Sequence, residues 1–200
     1  MSRRDQIIQA QPQDANVLSR VIASAFHGLA PSIWLVQDSD ARARLFPGYF
    51  RLFVHEAMTR GYVYTTAART AAALWLPVPC HADSTDYDAG LAATTGIYVD
   101  RFRLFDELLA KHHPDSPDHD HLAILAVGPE HQHTGIGSAL LAAHHGRLDA
   151  DDPPRAAYLE ASDEQTRQLY LRHGYTDVGE PIVLPAGPCM FPMLRCTSGD

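Results

Sequence analysis

The chain has 200 residues, of which 46% are hydrophobic and 20% are charged. This composition is ordinary for a soluble globular protein, and the length fits a single domain over residues 1–200. The formal net charge of −8 argues against an electrostatic nucleic-acid binder, because a phosphate backbone needs a basic surface. No stretch reaches the roughly 18–20 apolar residues that span a bilayer, and no signal peptide is evident, so we expect no membrane partner and a cytoplasmic location.

The three cysteines are widely spaced and form no metal-binding or redox motif. Cys80, Cys189 and Cys196 are therefore expected to be free thiols. An odd number of unpaired cysteines is typical of a protein from a reducing compartment.

The first sixty residues predict a short strand followed by helices. Residues 7–10 favour the strand, and residues 16–26 place apolar side chains, Val17 among them, at helical spacing. A second helical region is predicted from about residue 41 to residue 60. We expect Pro47 to interrupt or restart that helix, because proline lacks the backbone donor that a helix interior needs.

The middle of the chain predicts a hairpin, a loop and a further helix. Two β-rich runs, residues 62–66 and 70–77, flank a turn around Arg69 and indicate an antiparallel hairpin. Residues 78–90 are rich in turn formers and show no period, so a loop is expected there. From about residue 98 to residue 112 the apolar pattern is helical again.

The second half alternates strands and helices. In chain order, we predict a buried strand over 122–127, a helix over 135–148, a strand over 156–161, a helix over 162–173, and strands around 177–184 and 189–195. The whole order, β-α-α-β-β-α-β-α-β-α-β-β, implies a mixed α/β fold with helices on both faces of the sheet.

The turn between the strand over 122–127 and the next helix is the most informative stretch. Residues 132–137 read QHTGIG and open the helix. Glycines let a backbone approach a ligand closely, and the first N–H groups of a helix have no partner inside it. With the helix dipole, those groups favour a pyrophosphate. The stretch lacks the Lys-Ser/Thr of a Walker A loop and the G-x-G-x-x-G spacing of a dinucleotide fold; a tight turn with two packing glycines is the alternative.

The pattern Gln-x-x-Gly-x-Gly, after a strand that ends in Val-x-Pro, resembles motif A of the GNAT acetyltransferases. This resemblance implies a single α/β domain with a twisted mixed sheet of about six to seven strands and helices on both faces. It also implies acetyl-CoA as co-substrate, with the loop binding the pyrophosphate through backbone N–H groups and the strand binding the pantetheine arm. The implied contacts are Leu125, Ala126 and Val127 of the strand and Gln132, His133, Thr134, Gly135, Ile136, Gly137 and Ser138 of the loop.

The resemblance continues downstream, where residues 169–175 (LYLRHGY) resemble the Leu-Tyr-x-x-x-Gly-Phe signature of the family. Asp163 stands where many members carry Asn. The resemblance is strong over residues 119–195, the implied coenzyme-binding core, and weak over residues 80–118. That weak region, with residues 26–60, would select the substrate. Length and ending resemble puromycin-type antibiotic acetyltransferases, which implies a small-molecule primary amine as acceptor.

Tyr170 and Glu160 are the candidate catalytic groups. Transfer of an acetyl group to an amine needs a base for the amine proton and benefits from an acid at the departing thiolate. The resemblance places Tyr170 near the thioester sulfur, where its phenol could donate to the thiolate; packing in the core is the alternative. Glu160, near a strand end, could be the base, directly or through water, especially if burial raises its pKa. A structural carboxylate bonded to nearby N–H groups is the alternative.

Twelve histidines are present, and several of them surround the polar loop at residues 112–121. Their spacing follows no recognised ligand pattern, and the resemblance implies no metal, so none is expected. His119 is a further candidate for a base or a substrate contact. His144 and His145, on the predicted coenzyme helix, are expected to be solvated.

Asp86 and Asp88 could contact a cationic substrate, although a solvated turn would also explain them, and Trp34 and Trp75 fit either the core or a cleft wall. Two other functions remain open at this point. One is a protein or peptide N-acetyltransferase, whose cleft would be open and lined with acids. The other is a non-catalytic acyl-CoA-binding regulatory module. A monomer and a homodimer both fit the sequence.

Overall fold

A computed structural model describes residues 5–78 and 84–196, so Cys80 lies outside the described residues. The strands are β1 (Ile7–Gln9), β2 (Tyr62–Thr66), β3 (Ala71–Val78), β4 (His119–Val127), β5 (Ala156–Ala161), β6 (Thr176–Asp177), β7 (Ile182–Val183) and β8 (Cys189–Arg195). The helices are α1 (Ala15–Phe26), α2 (Ala30–Leu35), α3 (Ser39–Arg60), α4 (Ser84–Thr95), α5 (Val99–His112), α6 (Ile136–Leu148) and α7 (Glu164–Leu171).

The eight described strands form one mixed sheet, in the order β1-β2-β3-β4-β5-β8-β6, with β7 paired to β8. The β4–β5 pair is parallel, and the other neighbours are antiparallel. The predicted mixed α/β class is confirmed. The described sheet has eight strands, one more than the seven in the predicted order, because residues 177–184 contain two short strands where one was expected.

Helices cover both faces of the sheet, and β3 shows how the two cores divide. Ala72 and Leu74 point into the core that α1 to α5 form, whereas Ala73 and Trp75 point into the core under α6 and α7. This division follows from the alternation of side chains along a strand. No helix in the described parts of the chain has both the length and the apolar character that a membrane crossing requires.

Helix α3 runs from Ser39 to Arg60 without a break at Pro47, so the predicted interruption is wrong. Phe46, Phe50 and Val54 bury one face of this helix in the core. Burial of such side chains contributes about 1.5–3 kcal/mol each, which together exceeds the roughly 3 kcal/mol that a proline costs inside a helix.

The loop predicted over residues 78–90 is wrong from residue 84 onward, where α4 begins. This helix has many small residues and almost no amphipathic period, and tertiary packing holds it in place. Leu91 is 1% exposed and joins the core, while the Tyr87 ring packs edge-on against Phe53 of α3. Packing partners far away in sequence leave no local signal in the periodicity.

Candidate active site

Strands β4 and β5 start as neighbours and then diverge. They pair at three positions, from His119 with Ala156 to His121 with Tyr158. Beyond that point β4 continues along β3, and Ala123 is an extra residue in the register between the two strands. A bulge of this kind bends a strand. No described strand pairs with the β5 side of β4 after His121, so an extended ligand can pair with the backbone of β4 there.

A cavity of about 260 Å³ lies at this divergence and has two walls of different character. The first, which we call the sheet wall, consists of β4 from His121 to Val127, Glu160 of β5 and Tyr170 of α7. The second, which we call the helical wall, consists mainly of large apolar side chains. It includes Phe26, Leu29, Leu35, Tyr49, Phe50, Phe53, Phe105 and Leu109, together with Asp106.

The loop before α6 presents a row of backbone donors. Gly135 has a φ of +87°, in the left-handed region that glycine adopts without strain. The Ala139 N–H donates to the Gly135 carbonyl at 3.0 Å, so the three preceding helical N–H groups lack a partner inside the helix. Gln132 Nε2 donates to the Val127 carbonyl at 3.1 Å and ties the loop to β4. These features fit the predicted pyrophosphate site.

Glu160 is the buried carboxyl of the sheet wall, with 6% of its side chain exposed. His121 Nε2 donates to Glu160 Oε2 at 2.8 Å. Because a carboxylate only accepts hydrogen bonds, Nε2 carries a hydrogen, and the tautomer that has this single hydrogen uses Nδ1 as an acceptor. Burial by itself raises the pKa of Glu160. His121, and after it His113, lower the pKa by more than burial raises it, so the pKa lies below its ordinary value. The condition that would favour Glu160 as the base, a raised pKa, is therefore not met.

His113 and His119 extend this pair into a chain of imidazoles. His119 Nδ1 donates to the Pro117 carbonyl at 2.7 Å, so its Nε2 accepts from His113 Nε2 at 2.9 Å. Burial lowers the pKa of His113 to about 4 and also lowers that of His119, so both rings are neutral at neutral pH. Glu160 Oε1 is buried 3.9 Å from His113 Nδ1 and has no hydrogen-bond partner among the described residues; Tyr158 lies near without forming a well-aligned bond. Both ring nitrogens of His119 are occupied, so it orders this cluster.

The ligand atoms of His113, His121 and Glu160 lie within 4.8 Å of one another, close enough for a metal ion to be held between them. Two histidines and a glutamate are a ligand set that zinc accepts. The spacing along the chain does not reveal this group, because Glu160 is 39 residues from His121. That acetyl transfer needs no metal stays a prediction.

Tyr170 lies on the cavity with 8% of its surface exposed. Its ring centroid is 5.8 Å from that of Tyr175, in an edge-to-face contact. Burial raises the pKa of Tyr170 above the ordinary phenol value. The hydroxyl therefore keeps its proton at neutral pH and is available as a donor at the sheet wall.

His144 and His145 are buried, so the expectation that they are solvated is wrong. His144 Nε2 bonds to Asp120 Oδ2 at 2.9 Å, and its ring stacks on Trp75 at 4.1 Å. His145 Nε2 bonds to the Tyr175 hydroxyl at 2.9 Å, and burial lowers the pKa of His145 to about 3. Both histidines lie in the core, on the side of α6 that packs against the sheet. Buried polar groups of this kind are tolerated because each has a hydrogen-bond partner.

Asp86 and Asp88 are exposed on α4 and do not border the cavity. Asp88 instead pairs with Arg103 at 2.8 Å. Tyr87, which stands between them, donates to Asp106 Oδ2 at 3.0 Å. Asp106 lines the cavity as Glu160 does, but the sequence analysis did not single it out. In the sequence, the indication is a carboxyl next to the apolar stripe of α5, which includes Phe102, Phe105 and Leu109.

The two tryptophans belong to the core. Trp34 is 6% exposed, and its Nε1 donates to the Pro185 carbonyl at 2.8 Å. Trp75 is fully buried beneath α6. Cys189 and Cys196 are free thiols on the surface, as predicted.

Comparison with known proteins agrees with this geometry. Residues 113–195 match the family described as Acetyltransferase (GNAT) domain. A structure from Corynebacterium glutamicum, described as histone acetyltransferase HPA2 and related acetyltransferase, has a TM-score of 0.72 and 24% identity, and covers 98% of this chain and 97% of that one. Arylalkylamine N-acetyltransferase 2 from Aedes aegypti has a TM-score of 0.66 at 13% identity, covering 95% and 97%.

A variant of an agmatine N-acetyltransferase is also similar, with a TM-score of 0.60, 15% identity and coverage of 94% of this chain and 97% of that chain. At these identities the solved structures establish the fold, which is the GNAT fold: one open mixed sheet with helices on both faces. The family match adds the acetyltransferase domain itself over residues 113–195. Fold and domain together support an N-acetyltransferase.

Proposed function

We propose that this protein transfers the acetyl group of acetyl-CoA to a primary amine of a small molecule, by direct attack while both substrates are bound. The observation that carries the proposal is the position of the His121–Glu160 pair. It lies on a cavity formed where β4 and β5 diverge, and the same cavity reaches the glycine loop side of β4. A base thus faces the place where the strand edge can hold a thioester arm.

The described residues fit coenzyme A at two places. The N–H groups of Ile136, Gly137 and Ser138 at the start of α6 suit a pyrophosphate. The left-handed turn at Gly135 lets the backbone of the loop come close to that pyrophosphate. The edge of β4 from Leu125 to Val127 suits the amides of the pantetheine arm. When bound, acetyl-CoA supplies an acetyl group that is activated as a thioester.

His121 is proposed as the base. Its Nδ1 lone pair takes the proton that the amine nitrogen loses as the new C–N bond forms. Glu160 fixes the ring tautomer through the hydrogen bond at Nε2 and stabilises the positive charge that the ring gains. Because the pKa of Glu160 is lowered, the carboxylate stays ionised and suits this supporting role better than that of the base.

Tyr170 is proposed as the donor for the other side of the reaction. As the C–S bond breaks, the sulfur leaves with the electron pair and needs a hydrogen-bond donor or a proton. The Tyr170 hydroxyl is protonated and lies on the cavity. Solvent then restores the proton balance by removing the proton from His121 and returning one to the thiolate or to Tyr170.

The shape of the cavity supports a small acceptor. Its helical wall is apolar and aromatic, with Tyr49, Phe53 and Phe105 facing the site, which suits a compact organic amine. A peptide substrate would call for an open cleft lined with acids. A non-catalytic acyl-CoA-binding module would have no use for a base held by a buried carboxylate. An amino-group-bearing antibiotic, which the puromycin-type resemblance favours, belongs to the proposed class.

The test is a panel of primary amines, with free thiol measured as coenzyme A is released and acetylated product identified by mass. The panel contains arylalkylamines, amino-group antibiotics, polyamines and short peptides, each with and without EDTA. We expect thiol release with small amines, unchanged by the chelator. Release with peptides alone would favour the protein N-acetyltransferase. Binding of acetyl-CoA without release from any amine would leave the regulatory module.

A further inference from the structure

Asp106 is the acidic side chain among the described residues of the helical wall. It lies on α5 between Phe105 and Leu109, and Tyr49 and Phe53 of α3 line the same wall. The base proposed above is on the opposite, sheet wall of the cavity. A carboxyl in such surroundings is costly unless something compensates its charge, so its presence calls for a ligand or a partner.

The protein itself supplies little compensation. Tyr87 donates one hydrogen bond to Asp106 at 3.0 Å, and no ion pair to Asp106 occurs within residues 5–78 and 84–196. A carboxylate can accept about four hydrogen bonds. Burial raises the pKa of Asp106 to about 6, with the Tyr87 bond opposing the rise, so the group is mostly ionised at neutral pH. An ionised and largely unpaired carboxylate therefore faces an aromatic chamber.

We propose that Asp106 binds a second, positively charged nitrogen of the acceptor, and that the favoured acceptor is a diamine whose nitrogens are joined by an apolar spacer that packs against the aromatic side chains of the helical wall. This inference rests on the proposed function and specifies its substrate. The reacting nitrogen must be neutral to attack, so it belongs at His121. The other nitrogen stays an ammonium, pairs with Asp106 and lies among the rings of Tyr49, Phe53 and Phe105.

Selectivity follows from the penalty for leaving Asp106 unpaired. An apolar monoamine that fills the chamber would bury the carboxylate without a counter-charge, and sites built for a polar group reject analogues that lack it. A long polyamine would pair with Asp106 but would leave the aromatic surface poorly filled. The spacer and the second nitrogen are thus recognised by different parts of one wall.

The experiment compares two acceptors of the same shape, p-xylylenediamine and 4-ethylbenzylamine, in which a methyl group replaces the second amine. For the unmodified protein we expect kcat/KM to favour the diamine by about tenfold or more. Asp106→Asn keeps the shape and the Tyr87 bond but removes the charge, so the preference should fall to about twofold or less, mainly through the KM of the diamine. Glu107→Gln, an exposed change on the same helix, is the matched control and should keep the preference.

A calorimetric titration of the diamine into each variant separates binding from turnover. The proposal requires the diamine to bind Asp106→Asn about tenfold or more weakly than the unmodified protein and Glu107→Gln. Equal affinities, or an equal diamine preference in Asp106→Asn, would overturn it, as would a preference of the unmodified protein for the monoamine. If no amine of the wider panel releases thiol, the proposed function fails, and the titration still decides whether Asp106 binds a cation.

Discussion

Glu160 and Asp106 face the same cavity, yet their pKa values move in opposite directions. Burial raises the pKa of both carboxyls. Glu160 has His121 at 2.8 Å and His113 at 3.9 Å, and these lower its pKa below the ordinary value. Asp106 has the neutral Tyr87 hydroxyl, which offsets burial in part, and its pKa rises to about 6. The partner that the protein provides, and not burial itself, sets the state of each carboxyl.

This difference separates two tasks. Glu160 is already hydrogen-bonded to His121 within the protein, so its charge serves to hold His121 for the proposed proton transfer. Asp106 is left with unused acceptor capacity, so its charge is available to a ligand. Carboxyls whose environments push their pKa values apart are typical of sites in which one group does chemistry and another selects or supports.

The largest expected effect comes from the sheet wall. His121→Gln removes the proposed base and should lower kcat/KM by about 10²-fold or more at neutral pH. Glu160→Gln keeps an acceptor for Nε2 but loses the charge, so a smaller loss of about tenfold is expected. Both losses should shrink as pH rises, because hydroxide from the solvent increasingly takes the proton that the amine loses as the C–N bond forms. The measurement is the pH profile of kcat/KM.

His55→Gln, on the exposed side of α3, serves as the control for replacing a histidine and should leave the profile unchanged. If Glu160→Gln costs more than His121→Gln, the carboxylate is itself the base. Flat, unmodified profiles for both variants would give this pair a structural role only.

The next effect concerns the leaving thiolate. Tyr170→Phe keeps the ring and its contact with Tyr175, so folding should survive and only the hydroxyl is lost. Its contribution is made mainly in the transition state, so kcat should fall by at least about tenfold. The Kd of acetyl-CoA should change little. An unchanged kcat in a folded variant would show that solvent alone protonates the thiolate.

A weaker effect is expected in the loop. Gly135→Val places a β-branched residue at a φ of +87°, which strains the turn, and adds bulk on an open face where no atom lies within 4 Å of the new Cβ. The KM of acetyl-CoA should rise by about fivefold or more, while the KM of the amine stays nearly constant. Gly146→Val, on α6 in open space and without a positive φ, is the matched control. Equal rises in both KM values would contradict a role in binding the pyrophosphate.

The smallest effect is on stability. The pKa of Asp106 is raised in the folded state, so ionisation of this carboxyl weakens folding. The penalty grows as the pH rises from the pKa of the unfolded chain to the folded pKa of about 6, and it is constant above that pH. Asp106→Asn should therefore raise the free energy of unfolding by about 1–2 kcal/mol at about pH 8, and by less at about pH 4.5. Urea unfolding at the two pH values measures the difference. A gain that is the same at both pH values would mean that the charge of Asp106 does not weaken folding.

Local patterns in the sequence determined most elements and the position of the loop. The apolar pattern predicted the strand over residues 156–161, and the QHTGIG stretch located the loop that precedes α6. Tyr170 and Glu160 do line the cavity, although their catalytic roles stay predictions. These features depend on contacts within a few residues, which a single sequence displays directly.

Only the tertiary structure decided which groups meet. Sequence order separates His121 from Glu160 by 39 residues and Tyr87 from Asp106 by 19, and nothing in either stretch indicates the partner. The same limit hid the burial of His144, whose partner Asp120 lies on another element. The burial, the charge partner and the pKa of a residue depend on elements that are distant in sequence and pack against it. Periodicity indicates only which face of its own element a residue occupies.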